Sequence, residues 1–294
     1  MKPVLGIKTQ EEIKSFRELD AFEYTQYKNA VDWLGTFMTK QDLILIVFRN
    51  YDEYKNLLGQ FIYIVQNSSA YLPTTRSLQL LSLDIKRCVL NFLSSVRTFL
   101  DHHETHLKRH YGKKSPKFKR FKEACSNAYD NNFSYRFIYE LRNYTQHCGM
   151  PLSNIQFDTQ LLDSRTKDLN LSVSLFCDRD ELLENHNWKR VTEDLKNQPT
   201  KIEINSHIAR MVECLKDINL VITEDDLLKI IENASVVESL IAPLRREIVN
   251  SKGSPIIFHR VRKGDTKLEL EIELVPAEWI DLIKVSYPKQ SGGF

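Results

Sequence analysis

Between Leu78 and Leu107 the apolar residues return every three or four positions: Leu78, Leu81, Ile85, Cys88 and Val89, Phe92, Val96, Phe99 and Leu100, then Leu107. That spacing, kept up over about 30 residues, specifies one long amphipathic helix with a single apolar stripe. The helix is expected to stop near Tyr111-Gly112, where glycine takes the terminating conformation. Gly and Pro number only nine each in 294 residues, which is sparse for an all-β chain and suits long helices.

The flanking segments extend the helical reading. Residues 9–38 carry helical spacing through Phe16, Phe22, Tyr24, Tyr27, Ala30, Trp33, Leu34 and Phe37, and residues 41–66 predict a second helix. Ser68–Thr75 reads as a loop. Ser115-Pro116 opens a short helix, with Ser as cap and Pro in the first turn. After a break at Tyr129–Asn132, another helix spans about Asn132 to Cys148 and stops at Gly149-Met150-Pro151. The expected fold class is therefore an N-terminal all-α helical bundle over residues 1–150, with short antiparallel connections. It is followed over residues 151–294 by an α+β domain with a small antiparallel sheet. In that part Asn170–Asp178 alternates as a strand, 180–196 is helical and Thr200–Asn205 is a short strand. Residues 206–220 and 224–251 follow as helices, the second capped by Thr223 with Asp226 three residues on and kinked at Pro243. Pro255–Val275 is a hairpin turning at Lys263–Thr266. No internal repeat appears, and the only low-complexity stretch is the terminal SGGF.

Hydrophobic residues make up 42% and charged residues 27%, enough for a real core and against wholesale disorder. MKPVLGIKTQEEIKSF lacks the apolar stretch of a signal peptide. The apolar run Leu43–Phe48 is far too short to span a membrane. A soluble, cytoplasmic protein with no membrane partner is expected. The five cysteines are widely spaced with no CxxC pair, which fits reduced thiols. Residues 1–150 hold 22 Lys and Arg against 15 Asp and Glu, whereas residues 151–294 hold 19 against 24. The positive half is the one suited to a polyanion.

That half ends in YELRNYTQHCGMPL, Tyr139–Leu152. At about 100° per residue, Arg136, Tyr139, Glu140 and His147 lie within roughly 60° of Asn143. Ser134, Phe137, Ile138, Leu141, Thr145 and Cys148 lie opposite. One face is expected to pack and the other to present its polar line outward. Arg142 falls at the border, about 140° from His147. Histidine suits proton transfer near neutral pH. Arginine offers forked donors to a phosphate, and asparagine can orient the histidine or donate to a phosphate oxygen. Such a set fits cleavage of RNA by its own 2′-OH, with charge on the phosphorane stabilised by arginine and no metal required. The plainer alternative is a solvated helix end.

LRNYTQH at the end of the last helix of an all-α bundle resembles the HEPN superfamily, whose ribonucleases carry R-x4–6-H with a polar residue after the arginine. The resemblance covers roughly residues 10–150. It implies a metal-independent endoribonuclease needing no cofactor, with His147 as general acid/base, Arg142 stabilising the transition state and Asn143 orienting or contacting phosphate. It further implies a homodimer whose two motifs line one cleft, and a role as a toxin or antiviral (abortive-infection) effector, silenced where needed by an antitoxin or regulatory protein. Other members are non-catalytic binding modules.

Leu107–Lys122 is basic, with no acid and with interleaved aromatics, a composition suited to nucleic acid. Lys113, Lys114 and Lys117 are the expected RNA phosphate contacts. Asp101–His106 places His102 and His106 one helical turn apart but lacks the H-E-x-x-H order and a third ligand, so no metal site is expected. Gly112–Ser115 lacks the preceding glycine and strand of a phosphate loop. A Cys148–His147 dyad is disfavoured, since adjacent helical residues diverge by about 100°, and Cys148 is expected to face the core. His186, His207 and His259 read as isolated.

Overall fold

The computed structural model describes residues 2–67, 74–163, 168–263 and 267–287. In chain order its elements are strands β1 (Val4–Lys8) and β2 (Ile13–Glu18), helices α1 (Ala21–Asn67), α2 (Thr75–Tyr111), α3 (Pro116–Asn131) and α4 (Phe133–His147), and strands β3 (Leu152–Asp163) and β4 (Asp168–Asp178). Then come α5 (Arg179–Asn185), α6 (Val191–Lys196), β5 (Lys201–Glu203), α7 (Asn205–Thr223), α8 (Leu227–Ile241), α9 (Arg245–Ser251), β6 (Ser254–Lys263), β7 (Lys267–Leu274) and α10 (Ala277–Ser286). Helices thus combine with small antiparallel sheets. The chain divides into two compact units, Met1–Gln41 with Glu224–Phe294, and Asp42–Thr223.

The unit built from the chain ends carries a four-stranded antiparallel sheet in the order β2-β1-β6-β7. β1 is central: Leu5 pairs with Arg17 on one side and Ile257 on the other. Its core gathers Leu5, Ile7, Tyr27, Leu34, Ile230, Val237, Ile256, Ile257 and Ile280, all 2% exposed or less. This corrects the all-helical start. Residues 13–18 are a strand, and the helix begins at Ala21. The Ile13-Lys14-Ser15-Phe16 alternation suits a pleated edge strand, which pairs with the adjacent β1; the second neighbour of β1, β6, lies more than 200 residues away.

The two helices expected over 9–38 and 41–66 are one 47-residue helix, α1. No proline interrupts it, and its buried residues Tyr27, Ala30, Leu34, Phe37, Ile44 and Val47 keep steps of three, four or seven across the expected break. α2 begins at Thr75, capped by Thr74, and ends at Gly112 with φ 82°. Ser115 caps α3 by accepting from the Phe118 amide, with Pro116 in the first turn. The Ser68–Thr75 loop lies largely outside the described residues, as do Gly264–Thr266 of the hairpin turn and the SGGF tail.

In the unit Asp42–Thr223 one core runs from Ile44 to Ile222, so the division does not fall at the expected 149–151 boundary. Gly149 does end α4, at φ 116°, but β3 follows at once and pairs with β4, which pairs with β5. The helix expected over 180–196 is two, α5 and α6, broken at His186–Arg190 where Lys189 takes φ 52°. The last residue of this unit, Thr223, is expected to cap the next helix, but the N-cap of α8 is Asp226. The Thr223 hydroxyl donates back to the Asn219 and Leu220 carbonyls, and a 3-10 turn over Glu224–Asp226 intervenes. Pro243 sits in a second 3-10 turn between α8 and α9.

Candidate functional site

α4 carries the sequence motif, and its local chemistry fixes where that motif ends. The Asn132 side chain caps its start by accepting from the Tyr135 amide at 3.3 Å. Phe137, Ile138 and Leu141 are 0% exposed and seat the helix in the core, as the spacing predicts. Tyr135 and Tyr144 are buried as well, so the helix is covered over more of its circumference than a single apolar stripe.

The difference lies on the polar side. α5, the turn His186–Arg190 and α6 carry the partners that cover it. Arg136 donates Nε to Asp194 Oδ2 at 3.0 Å and Nη1 to the Tyr129 and Asp130 carbonyls at 2.6 and 2.9 Å. Trp188 is 1% exposed, stacks between the Phe137 and Tyr144 rings and donates Nε1 to the Leu182 carbonyl. Glu140, expected in an outward polar line, is instead buried at 4% exposure. A buried carboxylate requires hydrogen bonds and countercharge. Glu140 receives the Asn143 Nδ2 donor at 2.9 Å and faces Lys189 Nζ at 3.8 Å and His186 Nε2 at 4.0 Å. The left-handed turn at Lys189, with its amide donating to Asn187 Oδ1, brings that lysine round. No part of this covering turn stood out in the sequence; its only signal was the buried-type Trp188 amid polar residues.

Arg142 is half-buried. Its Nη1 lies 3.5 Å from Asn143 Oδ1, while its Nε is buried and makes no hydrogen bond. The side chain therefore turns toward Asn143, bridging part of the angular gap on the helical wheel. His147 is exposed in the last turn. Neither Arg142 nor His147 enters an ion pair among the described residues. Cys148, expected to face the core, is exposed, because the helix ends there. Its thiol donates to the Asn185 carbonyl at 3.1 Å and lies 4.0 Å from His186 Nδ1.

Lys113 and Lys114 are exposed in the turn between α2 and α3, and Lys117 lies half-buried with Nζ 5.3 Å from the centre of the Tyr111 ring. They occupy different elements from the α4 motif. In α2, His103 is buried, with Nδ1 3.0 Å from the Phe99 carbonyl, and the His106 ring lies tilted against His110, centroids 4.3 Å apart. Among the described residues no group of three or more His, Cys, Asp or Glu is gathered to hold a metal ion.

The three histidines read as isolated all have neighbours: His186 faces Glu140 and Cys148. His207 Nδ1 lies 2.8 Å from Ser134 Oγ, and burial pushes its pKa down. His259 Nε2 lies 3.2 Å from Tyr24 Oη, whose hydroxyl donates to Glu273 at 2.7 Å. Burial, with the Glu273 contact, pushes Tyr24 up to about 12. No helix among the described residues is long and apolar enough to cross a membrane. No family model, curated protein or solved structure matches the chain.

Proposed function

We propose that this protein is a metal-independent endoribonuclease of HEPN type, with Arg142, Asn143 and His147 as its working residues and no cofactor. One observation carries the reading. At the end of α4 the Arg142 guanidinium rests against Asn143 with Nε unbonded, and His147 stands exposed in the last turn, neither of them consumed by an ion pair. His147 takes the proton from the ribose 2′-OH as that oxygen attacks phosphorus. The P–O5′ bond breaks, the 5′-oxygen regains a proton, and a 2′,3′-cyclic phosphate remains. Arg142 neutralises charge growing on the phosphoryl oxygens. Two protomers bring their motifs to one cleft, and Lys113, Lys114 and Lys117 hold RNA phosphates. The setting is a toxin or antiviral effector held in check by an antitoxin or regulatory protein.

The test is cleavage of single-stranded RNA by purified protein with EDTA present. Wild type is expected to cut, and His147→Ala to lose at least about 10²-fold, the share general acid–base catalysis supplies. Equal cutting by both would sink the assignment. A second reading, a non-catalytic nucleic-acid- or protein-binding module, is favoured by the engagement of Glu140 and Asn143 with each other and with the turn His186–Arg190. Binding of RNA without cleavage selects it.

A further inference from the structure

We propose that Glu140 is a positioning residue of the α4 site, setting which end of the Asn143 amide meets Arg142. This rests on the ribonuclease reading for its catalytic consequence, but its structural content stands apart from it. With Lys189 Nζ at 3.8 Å, Glu140 acts as a carboxylate, which accepts hydrogen bonds and cannot donate them. Asn143 must therefore present its NH2 end to Glu140, as it does at 2.9 Å. Its carbonyl oxygen is then turned the other way, where it can only accept. The donor it meets is Arg142 Nη1 at 3.5 Å. Remove the carboxylate and the asparagine amide is free to flip, setting its NH2 against a guanidinium that has only donors. Arg142 then loses its one side-chain partner among the described residues and its bias toward the helix face carrying Asn143 and His147.

The structural investment is visible. Glu140 is 4% exposed, and a charge there is costly unless paired. The pairing is supplied from outside the helix by Lys189, held in a left-handed backbone conformation that a non-glycine residue adopts at a cost, while the buried His186 Nε2, 4.0 Å away, makes no hydrogen bond among the described residues. A solvated polar face would need none of this.

The experiment uses full-length, 15N-labelled protein and the variants Glu140→Gln and Glu140→Ala. The Gln variant keeps the shape of the site and guards against a folding failure. The Arg142 Nε–H signal, assigned by its loss in Arg142→Lys, is expected to be motionally restricted in wild type. It should be mobile in Glu140→Ala and intermediate in Glu140→Gln. On RNA, both variants should lower kcat by up to about 10²-fold, as a misplaced catalytic group does, with KM unchanged. Thermal unfolding of Glu140→Gln separates this from loss of fold. Equal restriction of Arg142 in wild type and Glu140→Ala overturns the proposal, whatever the activity. If wild type does not cut RNA but Arg142 loosens on substitution, the ribonuclease reading falls and the positioning role stands.

Discussion

His103 and His207 sit where an imidazolium is disfavoured. Burial lowers the pKa of each below 6.5, the ordinary value. An unfolded chain therefore binds protons near pH 6.5 that the folded chain refuses. Stability is fully present above that value and is lost as pH falls through it toward the depressed folded values. The urea midpoint is expected to drop between pH 7.5 and pH 5.5, and His103→Phe with His207→Phe should flatten the dependence. The same scale shows what sequence reading captures. Arg142, Asn143 and His147 were visible as types at a spacing, and Phe137, Ile138 and Leu141 as an anchoring face. The burial of Glu140 was not visible, because His186 and Lys189 lie over 40 residues further along and only the folded chain sets them against it.

Among the elements, β1 shows most clearly how a backbone position restricts its residue. Gly6 sits between β2 and β6, and a Cβ there would run into the Lys14 carbonyl oxygen and lie 3.1 Å from the Phe258 ring. Gly6→Ala is expected to destabilise by about 1–3 kcal/mol, the usual cost of overfilling a packed site, read as a lowered thermal midpoint. Helix ends were the most legible elements. Ser115-Pro116, Asn132 and Gly112 do locally what their chemistry dictates, because caps are satisfied within a few residues. Strands were legible where alternation was strong: β6 and β7 as a hairpin, β4 and β5 as separate runs. β1 and β2 were missed because five or six residues of alternation are easily taken for the edge of a helical pattern, and β6, the second neighbour of β1, is distant in sequence.

At the scale of the whole molecule, the boundary expected after α4 gave way to a division in which the chain ends join one unit and the middle forms the other. Composition cannot reveal this, since nothing in a half-by-half charge count records which strands pair. The charge on α2 and α3 still makes a prediction for the full protein. If Lys113, Lys114 and Lys117 each hold a phosphate, replacing all three by Gln should reduce the slope of log K against log salt for single-stranded RNA by about 2, at roughly 0.7 per contact. Fluorescence anisotropy across a salt series measures it, and an unchanged slope removes these lysines from the interface.

The place of β1 between β2 and β6 also sets a schedule for synthesis. β1 emerges from the ribosome first, but β6 begins only at Ser254. At about 5–20 residues per second, that strand waits roughly ten to fifty seconds for its second neighbour. The residues of Asp42–Thr223 are all made within that interval. A nascent chain thus keeps an open strand edge in one unit while all the helices of the other are being made. Open edges are templates for unwanted pairing, so early termination before Ser254 would release the α4 motif joined to a segment prone to aggregate.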